Sequence, residues 1–293
     1  MVVGQIGCGL WGAHVLRDLG LLGCDVQVVA RSDATRARAA EGGAAAIVQD
    51  VASLTGLDAV VVVTPISTHT EVIREALELD VPVFVEKPLC DDAADAGRLA
   101  TTAPERLFVM DKWRYHPAIR KLAEIAESGR LGRPCGLKTV RVQPENRHDE
   151  DATWVLAPHD LAIALEILGE VPRPAAAAGV WDGDRLVTLH ALLESDRGWH
   201  VTEISERATR VERRVELHCE DGLAVLEGAW NEHVVVQTPD GSSEPVEAPG
   251  ELPLLAELRA FVEHVAGGDP PKSSVAEGAA VVRAIAALRS LAR

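Results

Sequence analysis

Aromatic side chains are scarce in this 293-residue chain: six Trp, three Phe and one Tyr make up 3% of it. A surface that stacks single-stranded bases needs rings, so the shortage argues against one. Positive charge is short as well. Lys and Arg number 29 against 45 Asp and Glu, for a net charge of −16, and both halves are acidic, which excludes an ordinary duplex-binding or anionic-membrane surface. Lysine itself falls to Lys87, Lys112, Lys121, Lys138 and Lys272, so the position of each one carries information. No apolar run approaches the ~18 residues that span a bilayer. The five cysteines (Cys8, Cys24, Cys90, Cys135, Cys219) are scattered and contain no C-x-x-C pair, so they encode neither a disulfide framework nor a zinc site. The first residues lack the charged stretch of a secretory leader. The expectation is a cytoplasmic protein with no nucleic-acid or membrane partner and no metal.

What is present is ordinary globular material: 47% hydrophobic and 25% charged residues, enough to bury a core, at a length that suggests about two domains. The first third alternates short β-branched runs (residues 2–6, 26–30, 45–48, 58–63, 82–85 and 107–110) with helical spacing. This is the pattern of βαβ units and a parallel sheet. Asp33 reads as the cap of a helix over residues 34–41. After Pro117 the pattern changes. A helix over 118–128 ends at Gly129 and another over 159–168 ends at Gly169. Runs at 186–194, 199–205, 213–219, 224–229 and 233–238 fall at hairpin spacing and predict an antiparallel sheet. The Pro/Ala stretch 172–178 reads as a loop, and two helices close the chain. The predicted domains are 1–116 and 117–293, with the final helix able to return to the first.

Gly7-Cys8-Gly9-Leu10-Trp11-Gly12 is a G-x-G-x-x-G turn directly after a strand and opening a helix. The first glycine permits the tight turn, the second lets backbone approach a pyrophosphate, and the third lets helix and strand pack closely. The helix N-terminus then offers N–H groups, Leu10 and Trp11 among them, to phosphate. An NAD site wants an acid about 20 residues on, for the ribose hydroxyls. Here the second strand is followed by Arg31-Ser32-Asp33, with Arg36 and Arg38 beyond. A guanidinium and a hydroxyl suit a 2′-phosphate, which favours NADP(H) through Arg31, Ser32 and Arg36. NAD(H) stays open if Asp33 does the ribose work.

Further motifs follow in order: Thr64-Pro65 with His69; Glu86-Lys87-Pro88 after a strand; Arg114-Tyr115-His116-Pro117; Ser128-Gly129-Arg130-Leu131-Gly132; Pro158-His159-Asp160-Leu161; and Gly268-Asp269-Pro270 before an Ala-rich helix. Together with the glycine turn they resemble the Gfo/Idh/MocA family of NAD(P)-dependent oxidoreductases across essentially the whole chain. The resemblance implies an α/β fold: an N-terminal Rossmann domain with a parallel sheet, then a C-terminal α+β domain with an open, mostly antiparallel sheet. It makes Lys87 the family's E-K-P lysine, with Pro88 in cis. It places Thr64, Pro65, His69 and Glu86 along the cofactor and makes His159 the second-domain histidine. Chemistry agrees, since hydride transfer at a carbinol carbon needs a base for the hydroxyl proton and a cation near the developing oxyanion. Lys87 lies at the carboxyl edge of the sheet, and an imidazole titrates near neutral pH. Lys87, Arg114, Tyr115 and His159 are the candidate substrate contacts. The implied substrate is a small polar molecule, a sugar, cyclitol or nucleotide-sugar. The expected assembly is a homodimer or homotetramer through the C-terminal sheet.

One position departs from that pattern. Where the family carries an aspartate four residues before its histidine, this chain has Val155. Asp160 is adjacent to His159 and either substitutes as a catalytic carboxylate or is an ordinary first-turn helix acid. The departure keeps two other functions open: a nicotinamide-binding protein without turnover, and a hydrolase or lyase that recycles a bound nicotinamide. The cluster His148-Asp149-Glu150-Asp151 has metal-ligand composition, but adjacent residues cannot converge on one ion, and it reads as a solvated acidic loop. Arg114, Arg141 and Arg147 are candidates for holding one substrate phosphate. His190, His200, His218 and His233 read as sheet residues.

Overall fold

Six strands pair in parallel throughout: β1 (Val2–Ile6), β2 (Asp25–Val29), β3 (Ala46–Val48), β4 (Ala59–Val62), β5 (Val83–Glu86) and β6 (Leu107–Met110). Their spatial order is β3-β2-β1-β4-β5-β6, the doubly wound arrangement of two mononucleotide halves. Helices α1 (Leu10–Leu21), α2 (Asp33–Glu41), α3 (His69–Leu77) and α4 (Ala93–Thr102) make the crossovers. β4 and β6 are buried along their whole length, which is why they read as continuous apolar runs. The computed structural model describes residues 1–144 and 151–293, so Arg147, His148, Asp149 and Glu150 lie outside the described residues.

Beyond α5 (Pro117–Ser128), β7 (Pro134–Val142) and α6 (Ala152–Leu168) come β8 (Arg173–Asp182), β9 (Arg185–Ser195), β10 (Gly198–Ser205), β11 (Glu212–Cys219), β12 (Gly222–Leu226), β13 (His233–Gln237) and β14 (Ser243–Glu247). These strands form one sheet in the order β14-β13-β12-β11-β7-β10-β9-β8. Every pair is antiparallel except β7 with β10. One face carries Leu137, Leu217, Ala224 and Val234 into a core with Ile119 and Leu122 of α5 and Ile163 and Ile167 of α6. The opposite face shows residues such as His190, Leu192 and Glu194 to solvent, the alternation of a one-sided sheet.

Four local expectations change. The stretch 172–178 is not a loop but the start of edge strand β8. Alanine and proline carry little strand signal of their own, and pairing with β9 supplies the order, with register shifts that accommodate Pro174. The cap of α2 is Ser32, not Asp33: the Ser32 hydroxyl accepts from the Thr35 N–H at 3.2 Å, and the Ser32 N–H donates to the Thr35 hydroxyl at 3.1 Å. α6 begins at Ala152, seven residues before His159, and runs through Pro158. Its start is set by Asp151, which accepts from the Thr153 N–H at 2.9 Å and the Leu186 N–H at 2.6 Å and pairs with Arg289. Burial of most of α6 then outweighs the hydrogen bond that proline removes.

The fourth concerns domain limits. The chain divides into one unit of Met1–Lys112 with Leu252–Val282, and another of Trp113–Glu251 with Arg283–Arg293. The predicted break at 116/117 therefore falls four residues late, and the first unit recovers α7 (Pro253–Val265) and the first part of α8 (Val275–Leu291). The cause is apolar. Leu254, Leu258 and Phe261 of α7 join the core of the parallel sheet, and the Phe261 ring stacks on Phe84 at 4.7 Å. Gly278 of α8 lies so close to β6 that a Cβ there would meet Val109 at 2.5 Å. In the second unit the chain end is held by the Trp181 indole N–H, which donates to the Ala292 carbonyl at 2.9 Å. No helix among the described residues is long and apolar enough to cross a membrane.

Phe261→Ala removes a fully buried ring, and unfolding in denaturant should show a loss of about 3–5 kcal/mol. An unchanged midpoint would mean that α7 is not part of that core.

Candidate active site

The carboxyl end of β1 turns at Gly7, whose φ of +98° is open to glycine, and a Cβ there would lie 2.6 Å from the Val63 carbonyl oxygen. At Gly12 a Cβ would sit 3.0 Å from the Gly7 carbonyl oxygen, which keeps α1 tight against the turn. Gly9 is different: nothing lies within 4 Å of where its Cβ would be. Gly9 is itself the N-cap of α1, a helix with no side-chain cap and no acid in its first turn. A glycine with room before it and an uncapped helix N-terminus fit a pyrophosphate. Leu10, at the first helical position, is exposed, and the Trp11 ring carries the Lys112 ammonium 4.2 Å from its centroid. Beneath the turn, the buried Gln5 amide donates to the carbonyls of Gly7 and Gly12, each at 2.9 Å.

The neighbouring strands end in two more turns. His69 opens α3 but does not cap it. Its ring is buried and lies 2.9 Å from the Thr64 carbonyl through Nε2 and 2.9 Å from the Pro88 carbonyl through Nδ1. The imidazole thus fills the space between the Thr64-Pro65 turn and the Glu86-Lys87-Pro88 turn, and in its neutral form donates to one of the two carbonyls. Burial lowers the His69 pKa, against the pull of the two carbonyls and Glu86. The Lys87-Pro88 bond is cis. Lys87 is half-buried, with Nζ 3.9 Å from Glu86 Oε1. At the end of β2, Arg31 and Ser32 are exposed; the Ser32 hydroxyl caps α2, and Arg36 pairs with Asp33 at 2.9 Å.

In the second unit, Trp113 is the centre of a ring cluster. His116 stacks on it at 5.1 Å, the Arg141 guanidinium lies 4.5 Å from its centroid, and the half-buried His159 ring is tilted against it at 6.4 Å. The other His116 contacts fix its tautomer: Nδ1 accepts from the Ala118 N–H at 3.2 Å, so Nε2–H donates to the Ala229 carbonyl at 2.9 Å. Val155 stands one helical turn before His159 on the same face of α6, where it offers the imidazole no carboxylate.

Asp160 does not fill that gap. It is 2% exposed and turned into the sheet, where it accepts from Arg141 Nε at 2.8 Å and, more loosely, from the Thr202 hydroxyl at 3.4 Å. A polar chain continues from Thr202 to Thr139 at 3.0 Å and from Thr139 to His200 Nε2 at 3.0 Å. Burial pushes the Asp160 carboxyl up while Arg141 pulls it down, and burial holds His200 neutral with its pKa lowered to about 3. Arg213 lies alongside, lowered to about 10 by burial and by the like charge of Arg141. Asp160 is therefore the counter-ion of a buried arginine. Arg114, expected at a substrate, is also buried and pairs with Glu166 at 3.2 Å; Tyr115 is half-buried.

Residues 1–110 match the family model described as "Oxidoreductase family, NAD-binding Rossmann fold". Inositol 2-dehydrogenase 3 of Saccharopolyspora erythraea is 25% identical over 299 residues, covering 91% of this chain and 85% of that one. UDP-N-acetylglucosamine 3-dehydrogenase of Acidithiobacillus ferrooxidans is 29% identical over 234 residues, covering 75% and 74%. Its solved structure superposes with a TM-score of 0.86 at 25% identity over 99% of this chain and 97% of that one. The chain belongs to the Gfo/Idh/MocA family of oxidoreductases. A 3-ketoreductase of Actinomadura kijaniata, solved with TDP-benzene and NADP, shares the fold at a TM-score of 0.89 and 22% identity, covering 100% and 98%.

Within this family member, sequence reasoning missed three positions. Gln5 is the one polar residue of β1, a signal that was available. Arg141 reads in sequence as a holder of substrate phosphate, but it is buried and paired with Asp160, nineteen residues away, which spacing alone does not reveal. Glu257 sits on the apolar stripe of α7 and looks like a surface acid. Arg141→Leu, which leaves Asp160 buried without its counter-ion, should cost about 3–5 kcal/mol in denaturant unfolding. A loss below about 1 kcal/mol, the scale of an exposed pair, would mean that the pair is solvated.

Proposed function

We propose that this oxidoreductase uses NADP(H), with NAD(H) second, and transfers hydride between the nicotinamide and a carbonyl, carbinol or imine carbon of a small polar substrate. The named activities of its relatives make a sugar, cyclitol or nucleotide-sugar the substrate class. The observation that carries this reading is the pairing on one sheet edge of an open glycine turn, at Gly9, with the Glu86-Lys87-Pro88 turn. Gly7, Gly9, Leu10, Trp11 and Gly12 would hold the pyrophosphate, and Arg31 the 2′-phosphate. Thr64, Pro65, His69 and Glu86 would line the remainder. The bound cofactor supplies or accepts the hydride. Lys87 polarises the substrate oxygen, and His159 gives or takes its proton.

Val155 shapes the direction. With valine one turn before His159, that turn of the helix supplies no carboxylate to the imidazolium left by oxidising an alcohol. Reduction of an activated carbonyl or imine, in which His159 gives up a proton, suits the site better. The same residue favours one second reading: a cofactor-binding protein without turnover. For assembly, the solvent-facing side of the second sheet, with Lys138, Glu203, Arg214 and Glu216, is the proposed homo-oligomer face; a cytoplasmic setting fits the unpaired cysteines.

Fluorescence titration with NADPH and NADH tests the cofactor. Arg31→Ala should cost about tenfold in NADPH affinity and leave NADH unchanged, the size of one charge-assisted contact. Equal losses for both would remove the 2′-phosphate assignment. Lys87→Ala should retain cofactor binding and lose about 10²–10³-fold in turnover with an active carbonyl substrate. A parent protein that binds NADPH and turns over no carbonyl or polyol would favour the second reading.

A further inference from the structure

α7 buries Leu254, Glu257, Leu258 and Phe261 along one stripe. Three of these are apolar. The fourth is a carboxyl only 1% exposed, and its Oε2 has no hydrogen-bond partner among the described residues. Its placement follows from the helix. Phe261, one turn further on, stacks on Phe84 of β5, and Glu86 is two residues beyond Phe84. Glu86 pairs in register with Met110 at the end of β6, and Asp111-Lys112 follows. The Asp111 backbone N–H donates to the Glu257 carboxyl. Glu257 therefore stands under two turns of the cofactor edge, the one that carries Lys87 and the one that sets Lys112 over Trp11.

We propose that Glu257 is a positioning residue of the cofactor edge, a buried carboxyl that braces the Glu86-Lys87 and Asp111-Lys112 turns and couples them to pH. This rests on the reading of that edge as the nicotinamide-dinucleotide site. The charges facing it are Glu86 from β5 and Asp111 and Lys112 from the end of β6; α1, also packed on α7, brings His14 and the Arg17–Asp18 pair. With Glu257 neutral, the carboxylates of Glu86 and Asp111 are matched by the ammonium groups of Lys87 and Lys112. An ionised Glu257 adds a third carboxylate and draws both lysines inward. Burial, then Glu86 and Asp111, push the Glu257 carboxyl well above its ordinary range, against Lys112 and the Asp111 N–H. A folded-state value above the unfolded one means that the stabilising proton is present in acid and lost as pH rises through the folded value.

The five lysines make the test clean. Isotope-labelled reductive methylation of the full chain gives each lysine a resolved resonance, with Lys87 and Lys112 assigned from Lys87→Arg and Lys112→Arg. In the parent, one or both resonances should step as pH rises, before the lysine itself titrates, and Glu257→Gln should abolish the step. NADPH affinity, read by fluorescence, should weaken at least about threefold through the same step in the parent. Glu257→Ala should bind weakly throughout, and Glu257→Gln, neutral and of the same shape, should rescue binding and keep it level with pH. A step that persists in Glu257→Gln, a parent with no step, or a Glu257→Gln protein that binds NADPH as weakly as Glu257→Ala would each overturn the proposal. The lysine resonances need no cofactor, so a protein that binds neither NADPH nor NADH removes the cofactor reading while the step still decides the role of Glu257.

Discussion

Six strands that all run the same way bring six carboxyl ends to one edge, and the chemistry of the first unit depends on that constraint. A parallel sheet buried on both faces leaves nowhere else for polar turns to gather. The glycine turn after β1, the Thr64-Pro65 turn after β4, the Glu86-Lys87-Pro88 turn after β5 and Asp111-Lys112 after β6 are therefore neighbours, although more than a hundred residues separate the first from the last. Buried polar side chains pack among them: Gln5 holds the two sides of the glycine turn, His69 fills the space between the second turn and the third, and Glu257 sits under the third and fourth. Each of these three places a polar group where water cannot reach, so each tolerates little change.

The second unit solves the same problem differently. Its sheet is covered on one side only, yet it buries an arginine. Arg141 is tolerated because Asp160 neutralises it, Trp113 offers its ring face, and a run of hydroxyls leads from Asp160 to a neutral His200. The cost of burying one charge is met by a second charge and a π face rather than by solvent. Asp160, next to His159, is thereby committed to Arg141.

Much of the fold was legible from residue order. The periods of the first third, the glycine turn, and the cysteine and charge shortages each reflect local rules: backbone φ, strand alternation, helix caps. Errors arose where tertiary packing outweighed those rules. Pro158 looked like a helix boundary, but the Asp151 cap and a buried face carry α6 through it. The alanine-rich stretch at 172–178 has no strand propensity to read, and β9 provides the partner.

The site divides along the same line. Sequence alone determined which chemistry is available: a glycine turn suited to phosphate, a lysine directly after a strand, a histidine on a helix, and a valine one turn before it. Those assignments depend on residue type and short spacing. Only the tertiary structure decided that Asp160 is paired with Arg141, that Arg114 is paired with Glu166, and that Glu257 of α7 is buried beside Glu86 and Asp111. Burial and pairing are long-range properties. An acid on an apolar helical stripe looks the same in sequence whether its next neighbour is water or three other charges.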